Sequence, residues 1–108
     1  MAVKTYTKGV KTKISEHFYS TEFDCHCSRK DCKITLIDEQ LVQDLEVLRA
    51  HFGGKAVHIN SGYRCAKHNT AVGGVDGSWH VKGYAVDMVI SGVNVWDVAR
   101  AGDYLQKE

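Results

Sequence analysis

The sequence predicts an α+β domain, a small antiparallel sheet flanked by helices. Three observations carry this. Leu41, Leu45, Leu48 and Phe52 recur at spacings of four, three and four, which is one apolar stripe of an amphipathic helix. Two segments, 55–60 and 84–90, alternate with a period of two, as strands with one face on a core do. The chain has 108 residues, 44% hydrophobic and 25% charged, which suits one small globular domain rather than a disordered segment.

Taken in order, residues 1–13 read as an N-terminal arm. Lys4, Lys8, Lys11 and Lys13 crowd it, and such runs near termini are solvated. A weak attraction to an anionic wall polymer is the sharper alternative. The domain proper is read as 14–108. Ile14, Phe18 and Phe23 can pack back onto its core, and Ser15-Glu16 suits a short helix start. Residues 25–33 hold three cysteines among charges and read as a loop. Asp38 is a suitable N-cap for a helix reaching Phe52, which Gly53-Gly54 ends without steric strain. In the next strand Val57 and Ile59 face one way and Ala56, His58 and Asn60 the other, until Ser61-Gly62 breaks it. A short helical turn spans 66–72, closed by Gly73-Gly74. A Gly-rich loop, 73–83, carries Trp79 and His80. Along 84–90, Tyr84, Val86, Met88 and Ile90 alternate with Ala85, Asp87 and Val89. Asn94 caps a last helix with Val95, Val98, Ala99 and Leu105 on its apolar side. There is no proline, so the turns rely on Gly, Ser and Asn.

The charge balance narrows the partners. Fourteen basic and 13 acidic residues leave a net charge of +1, which gives no general drive toward nucleic acid or an anionic membrane. No apolar stretch approaches the roughly 18 residues of a membrane span. No apolar h-region opens the chain, so synthesis in a cytoplasm without a signal peptide is expected.

Chemistry concentrates at Asp87, the one charge within 84–90. Aspartate is depleted from strands. A buried carboxylate costs several kcal/mol unless it is paired or coordinated, so a compensating group is expected. His80 lies seven positions earlier across a glycine-containing turn. A ring nitrogen beside a carboxylate oxygen suits zinc. An edge strand with a solvated Asp87, or an ion pair with Arg64, are the plainer alternatives. Cys25, Cys27 and Cys32 follow the spacing C-x-C-x4-C. With Cys65 or His26 as a fourth ligand they could hold a second, structural zinc that pins the loop to the turn at Arg64. The alternative is reduced thiols, with Cys65 a small half-buried hydrophobe. Disulfides are not expected to persist in a cytoplasm. A cysteine-zinc nucleic-acid binder built on 25–32 is disfavoured by the neutral charge.

The stretch Ser78-Trp79-His80-Val81-Lys82-Gly83-Tyr84-Ala85-Val86-Asp87 has the form S-x-H-x-x-G-x-A-x-D. It resembles the motif of the M15 zinc peptidases, the D-alanyl-D-alanine carboxypeptidase and L-alanyl-D-glutamate endopeptidase family. Ile59 to Cys65 resembles that family's strand-end segment, His68 to Gly74 the loop after it, and Phe18 to Cys27 the lead-in of a short subgroup. The resemblance covers roughly residues 14–108. It implies a D-Ala-D-Ala carboxypeptidase (hedgehog/DD-peptidase)-like fold, a zinc cofactor, and His80 and Asp87 as metal ligands. It implies that Arg64 is catalytic and substrate-binding, holding a substrate carboxylate or a developing oxyanion. Ser78 would lie near the substrate backbone or serve the loop turn. Tyr63 and Trp79 would wall the cleft or belong to the core, and His68 would be a loop or helix-capping residue.

The implied function is zinc-dependent hydrolysis of peptide bonds next to D-amino acids in bacterial peptidoglycan, of the D,D-carboxypeptidase or endopeptidase (endolysin) type. The implied partner is a peptidoglycan peptide, met by a monomer acting on the cell wall after release. One departure stands out. The family's third zinc ligand is a histidine in a C-terminal strand, near an acidic general base, and no histidine follows Asp87. Three explanations stay open: a C-terminally incomplete domain, substitution by His58, or a second copy supplying the part by domain swapping. His17, His26 and His51 are less well placed. A non-catalytic zinc- or wall-peptide-binding module of the same fold is the alternative reading.

Overall fold

The structure, a computed structural model, describes residues 2–75, 77–94 and 97. Its organising element is helix α1, Glu39–His51. Asp38 Oδ2 accepts the Leu41 N–H at 3.2 Å, which satisfies one of the amides a helix start leaves open. Gly53 and Gly54, with φ of +73° and +81°, close the other end in the left-handed conformation that glycine tolerates. Val42, Leu45 and Leu48 are buried on the inner face, with Leu41 and Phe52 half-buried beside them. They pack with Phe18, Phe23, Ile37, Val57 and Ile90 in one buried cluster.

Among the described residues two two-stranded antiparallel sheets lie around this helix, where a single sheet was expected. The α+β class is observed; the sheet is divided. Strand β1, Val3–Thr7, pairs with β2, Ile34–Asp38, so that Val3 lies opposite Asp38 and Thr7 opposite Ile34. Part of the expected arm is therefore a strand. Its lysines mask the signal, but Val3, Thr5, Tyr6 and Thr7 are residue types that suit a pleated surface. Lys4 reaches Glu39 of α1 at 3.2 Å. In β2, Thr35 and Ile37 point inward and are fully buried.

Strand β3, Val57–Ser61, pairs with β4, Asp87–Ile90. Val57 opposes Ile90, and the register slips between Ile59 and Ser61, which brings Ser61 opposite Asp87. Strand β4 begins at Asp87 rather than Tyr84. The three residues before it have no regular structure and follow a turn over 79–83, across which the Tyr84 N–H donates to the Trp79 carbonyl at 3.0 Å. The predicted short helix is α2, Ala66–Ala71. Ser15-Glu16 starts no helix; a 3-10 turn follows at Ser20–Phe23 instead. Phe18 and Phe23 are buried as expected, with Ile14 half-buried against them. The expected last helix lies outside the described residues apart from Asn94 and Asp97. Among the described residues no helix is long and apolar enough to cross a membrane.

Two backbone ties hold the loops that matter below. The Asp38 N–H donates to the Gly83 carbonyl and the Tyr63 N–H to the Phe23 carbonyl, each at 2.9 Å. The first anchors the His80 loop to β2, and the second anchors the end of β3 to the core.

Candidate metal centre

The end of β3, the start of β4 and the turn at 78–83 meet at His80. The His80 Nδ1 lies 2.8 Å from the Gly62 carbonyl oxygen. A carbonyl only accepts, so Nδ1 carries the hydrogen, and in the neutral ring Nε2 keeps its lone pair. That Nε2 faces Asp87 Oδ2 at 3.6 Å. The separation exceeds the roughly 2.7–2.9 Å of a charge-assisted hydrogen bond. It is close to the about 3.3 Å edge of a tetrahedron whose ligands lie at about 2.0–2.1 Å from zinc. The His80 Nδ1 contact is the outer partner that typically orients a metal-binding imidazole.

Arg64 completes the cluster. One terminal nitrogen donates to Asp87 Oδ2, the other to Asn69 Oδ1, and Nε to Ser61 Oγ, all at 3.3 Å. The guanidinium is only 18% exposed while Asp87 is 60% exposed. The expectation of a buried carboxylate is thus corrected. β4 begins at Asp87, and among the described residues it pairs only with β3, which leaves the side chain largely exposed, so both plainer alternatives are realised: a solvated strand residue and an ion pair with Arg64. The carboxylate is compensated all the same, by Arg64 and His80 together.

Asn69 is a site residue that the sequence pattern does not single out. It is buried at 3% exposure, holds Arg64 through its oxygen, and donates Nδ2 to the Val75 carbonyl at 2.9 Å. Gly74 leaves no room for a side chain against it. The available signal was an asparagine in a short helix followed by a glycine pair. Ser78 serves the turn: its Oγ accepts the His80 N–H at 3.3 Å. Tyr63 is buried, whereas Trp79 is 64% exposed. Trp79 meets Tyr84 edge-on and carries the Lys82 ammonium over its ring. The structure does not bring His58 to the His80–Asp87 pair. His58 opposes Val89, and its Nε2 is 3.0 Å from Ser91 Oγ, at the far end of β4 from Asp87.

A second cluster lies where the 25–33 loop meets α2. The Sγ atoms of Cys25, Cys27, Cys32 and Cys65 all lie within 4.8 Å of one another, and all four thiols are free. Cys65 caps α2, its Sγ accepting the His68 N–H at 3.4 Å. Burial pushes the Cys25 thiol up and the Cys32 thiol up to about 12. The Arg29 backbone N–H beside Cys27 brings that thiol down to about 6. His26, the other fourth-ligand candidate, is exposed and outside the group.

Residues 16–106 match the family model described as Peptidase M15. The chain belongs to the peptidase M15 family. No curated protein and no solved structure gives a significant match. The family match spans His80, Asp87, Arg64 and all four cysteines. M15 peptidases are generally zinc-dependent. The donors of this M15 domain fit such an ion: an imidazole nitrogen freed by the Gly62 contact beside an accessible carboxylate, and a separate group of four sulfurs.

Proposed function

We propose that this M15 domain is a zinc-dependent peptidase that hydrolyses bonds next to D-amino acids in bacterial peptidoglycan. His80 and Asp87 are two of the three protein ligands that a catalytic zinc takes. The observation that carries the reading is the His80 ring. Its Nδ1 is fixed on the Gly62 carbonyl, and its Nε2 faces Asp87 Oδ2 at 3.6 Å, within the segment matched to the family. Zinc at this position supplies Lewis acidity and a nucleophile at neutral pH.

The protein's own groups supply orientation and charge. Arg64 is pre-positioned by Ser61 and Asn69, so its donors meet a substrate carboxylate or a developing oxyanion with little reorganisation. Asp87 is exposed, which leaves the pair open to a peptide. Ser78 fixes the turn that presents His80, and its hydroxyl lies near the path of a substrate backbone. The fold, small antiparallel sheets with helices, is compatible with a DD-peptidase-like domain. The chain acts as a monomer on the cell wall after release from the cytoplasm in which it is made.

A second reading is favoured by one observation: His58, the candidate third ligand, is engaged with Ser91 at 3.0 Å, away from the His80–Asp87 pair. It is a non-catalytic module that binds zinc or wall peptides. Purified peptidoglycan, incubated with the zinc-loaded protein, separates the two. Release of D-alanine identifies a carboxypeptidase, and release of internal peptides an endopeptidase. Neither product appearing, with peptide still bound, establishes the module. His80→Ala is expected to abolish release and lower zinc retention at this centre; unchanged release by that variant would remove His80 from the reaction.

A further inference from the structure

We infer that Cys25, Cys27, Cys32 and Cys65 hold a second zinc ion as a closed tetrathiolate site that fixes the turn carrying Arg64. This goes beyond the proposed catalysis and does not depend on it. Four sulfurs at about 2.3 Å from a zinc ion, tetrahedrally arranged, stand about 3.8 Å apart along each edge. Cys65 Sγ is 3.8 Å from Cys25 Sγ and 3.8 Å from Cys27 Sγ, and all four sulfurs fall within 4.8 Å of one another. A disulfide requires about 2.05 Å and joins only two atoms. Cys65 stands equally far from two partners and can bond to one of them alone. Equidistance is what a shared central ion demands.

The surroundings suit a dianionic centre. Four thiolates around one zinc ion leave a net charge of −2 on the complex, the thiols that are still protonated giving up their protons to solvent. Donors already point at the sulfurs. The Cys65 N–H reaches Cys25 Sγ at 3.5 Å, the His68 N–H reaches Cys65 Sγ at 3.4 Å, and Lys8 Nζ reaches Cys27 Sγ at 3.5 Å. Arg29 and Lys67 line the adjoining cleft with Cys32 and Cys65, where both pair with Asp31. Lys8 is the cation that reaches a sulfur directly, and the N–H groups suit thiolates better than thiols, which accept hydrogen bonds weakly.

The site also has a structural task. The 25–33 loop has no regular secondary structure, and among its residues only Cys25 is buried. An ion shared with Cys65 joins segments 40 residues apart. Cys65 directly follows Arg64 and caps the helix whose Asn69 holds the guanidinium. A core this small gains from such a staple.

The test uses the full chain, reduced, stripped with a chelator and titrated with cobalt(II) alone. The expected result is a thiolate-to-cobalt charge-transfer band in the near ultraviolet, with the strong visible bands of a tetrahedral sulfur site. These persist in His80→Ala, which separates this centre from the proposed catalytic one, and weaken in Cys65→Ser. Cys27→His, which keeps four ligands, retains binding with altered bands and guards against a Cys65→Ser protein that does not fold. Absence of the bands in the reduced wild-type chain, or their loss in His80→Ala, overturns the inference. Thiol alkylation gives a second readout. Zinc is expected to protect all four cysteines until it is chelated, and equal labelling with and without zinc overturns the site.

Discussion

Replacing Gly62 by alanine tests the link between the core and the His80 ring. The added Cβ would sit 2.8 Å from Phe23 Cα and 2.9 Å from the Phe23 carbonyl oxygen. Phe23 is 1% exposed, and its carbonyl accepts the Tyr63 N–H at 2.9 Å, so both partners are backbone and neither can rotate away. Relief requires the two segments to part by about half an ångström, which forfeits dispersion contacts in the core. Overpacking of this kind costs about 1–3 kcal/mol, and each kcal/mol lowers Tm by roughly 4–8 °C in a domain near this size. The same shift moves the Gly62 carbonyl that holds His80 Nδ1 at 2.8 Å. Loss of an outer partner typically weakens metal binding by about 10–100-fold. Urea unfolding and a competitive zinc-chelator titration read the two effects separately. The midpoint should fall with an unchanged slope, and the zinc Kd at the His80–Asp87 centre should rise. Wild-type values in both would refute the reasoning. A stability loss with unaltered zinc affinity would refute the coupling of this carbonyl to His80.

Two further outcomes concern the core and its pH response. Leu45→Ala, which empties a site 3% exposed at the centre of the buried cluster, should cost about 2–5 kcal/mol in urea unfolding. Burial works to raise the pKa of Glu46, but the nearby Ser15 hydroxyl and the hydrogen bonds from His17 outweigh it and hold the carboxyl below its usual 4.5. A depressed carboxyl contributes stability above its unfolded pKa and loses it as pH falls through the folded value. Unfolding measured from pH 7 downward should therefore show a loss of stability below about pH 4.5. That loss should be smaller in Glu46→Gln, which starts about 1 kcal/mol less stable; parallel pH profiles would contradict the assignment.

The two clusters are joined through adjacent residues. Arg64 reaches Asp87 at one, and Cys65 belongs to the other, so whatever fixes the cysteines also fixes the guanidinium. Asn69 reinforces this from within α2. Its buried amide has one partner in Arg64 and one in the Val75 carbonyl, which ties the strand-end turn to the Gly-rich loop that leads to His80.

Helix α1 was legible in the sequence because its information is local: an apolar period, a capping aspartate and a terminal glycine pair all lie within two turns of the residues they govern. The nearness of His80 and Asp87 was legible for the same reason, since seven residues across one glycine turn bring them together with little help from elsewhere. Strands β1 and β2 were not legible. Their partners lie some thirty residues apart, and neither shows clean apolar alternation, so only pairing makes them strands. The exposure of Asp87 was beyond the sequence as well, because whether a strand residue is buried depends on what the rest of the chain lays over it. The grouping of Cys65 with the three loop cysteines was one of two pairings the sequence offered, and the structure realises it over His26; that choice and the seating of Arg64 between Ser61, Asn69 and Asp87 follow from long-range ties, above all the Tyr63–Phe23 hydrogen bond. Periodicity is written into neighbouring residues, whereas contact between distant segments is decided only when the core closes around them.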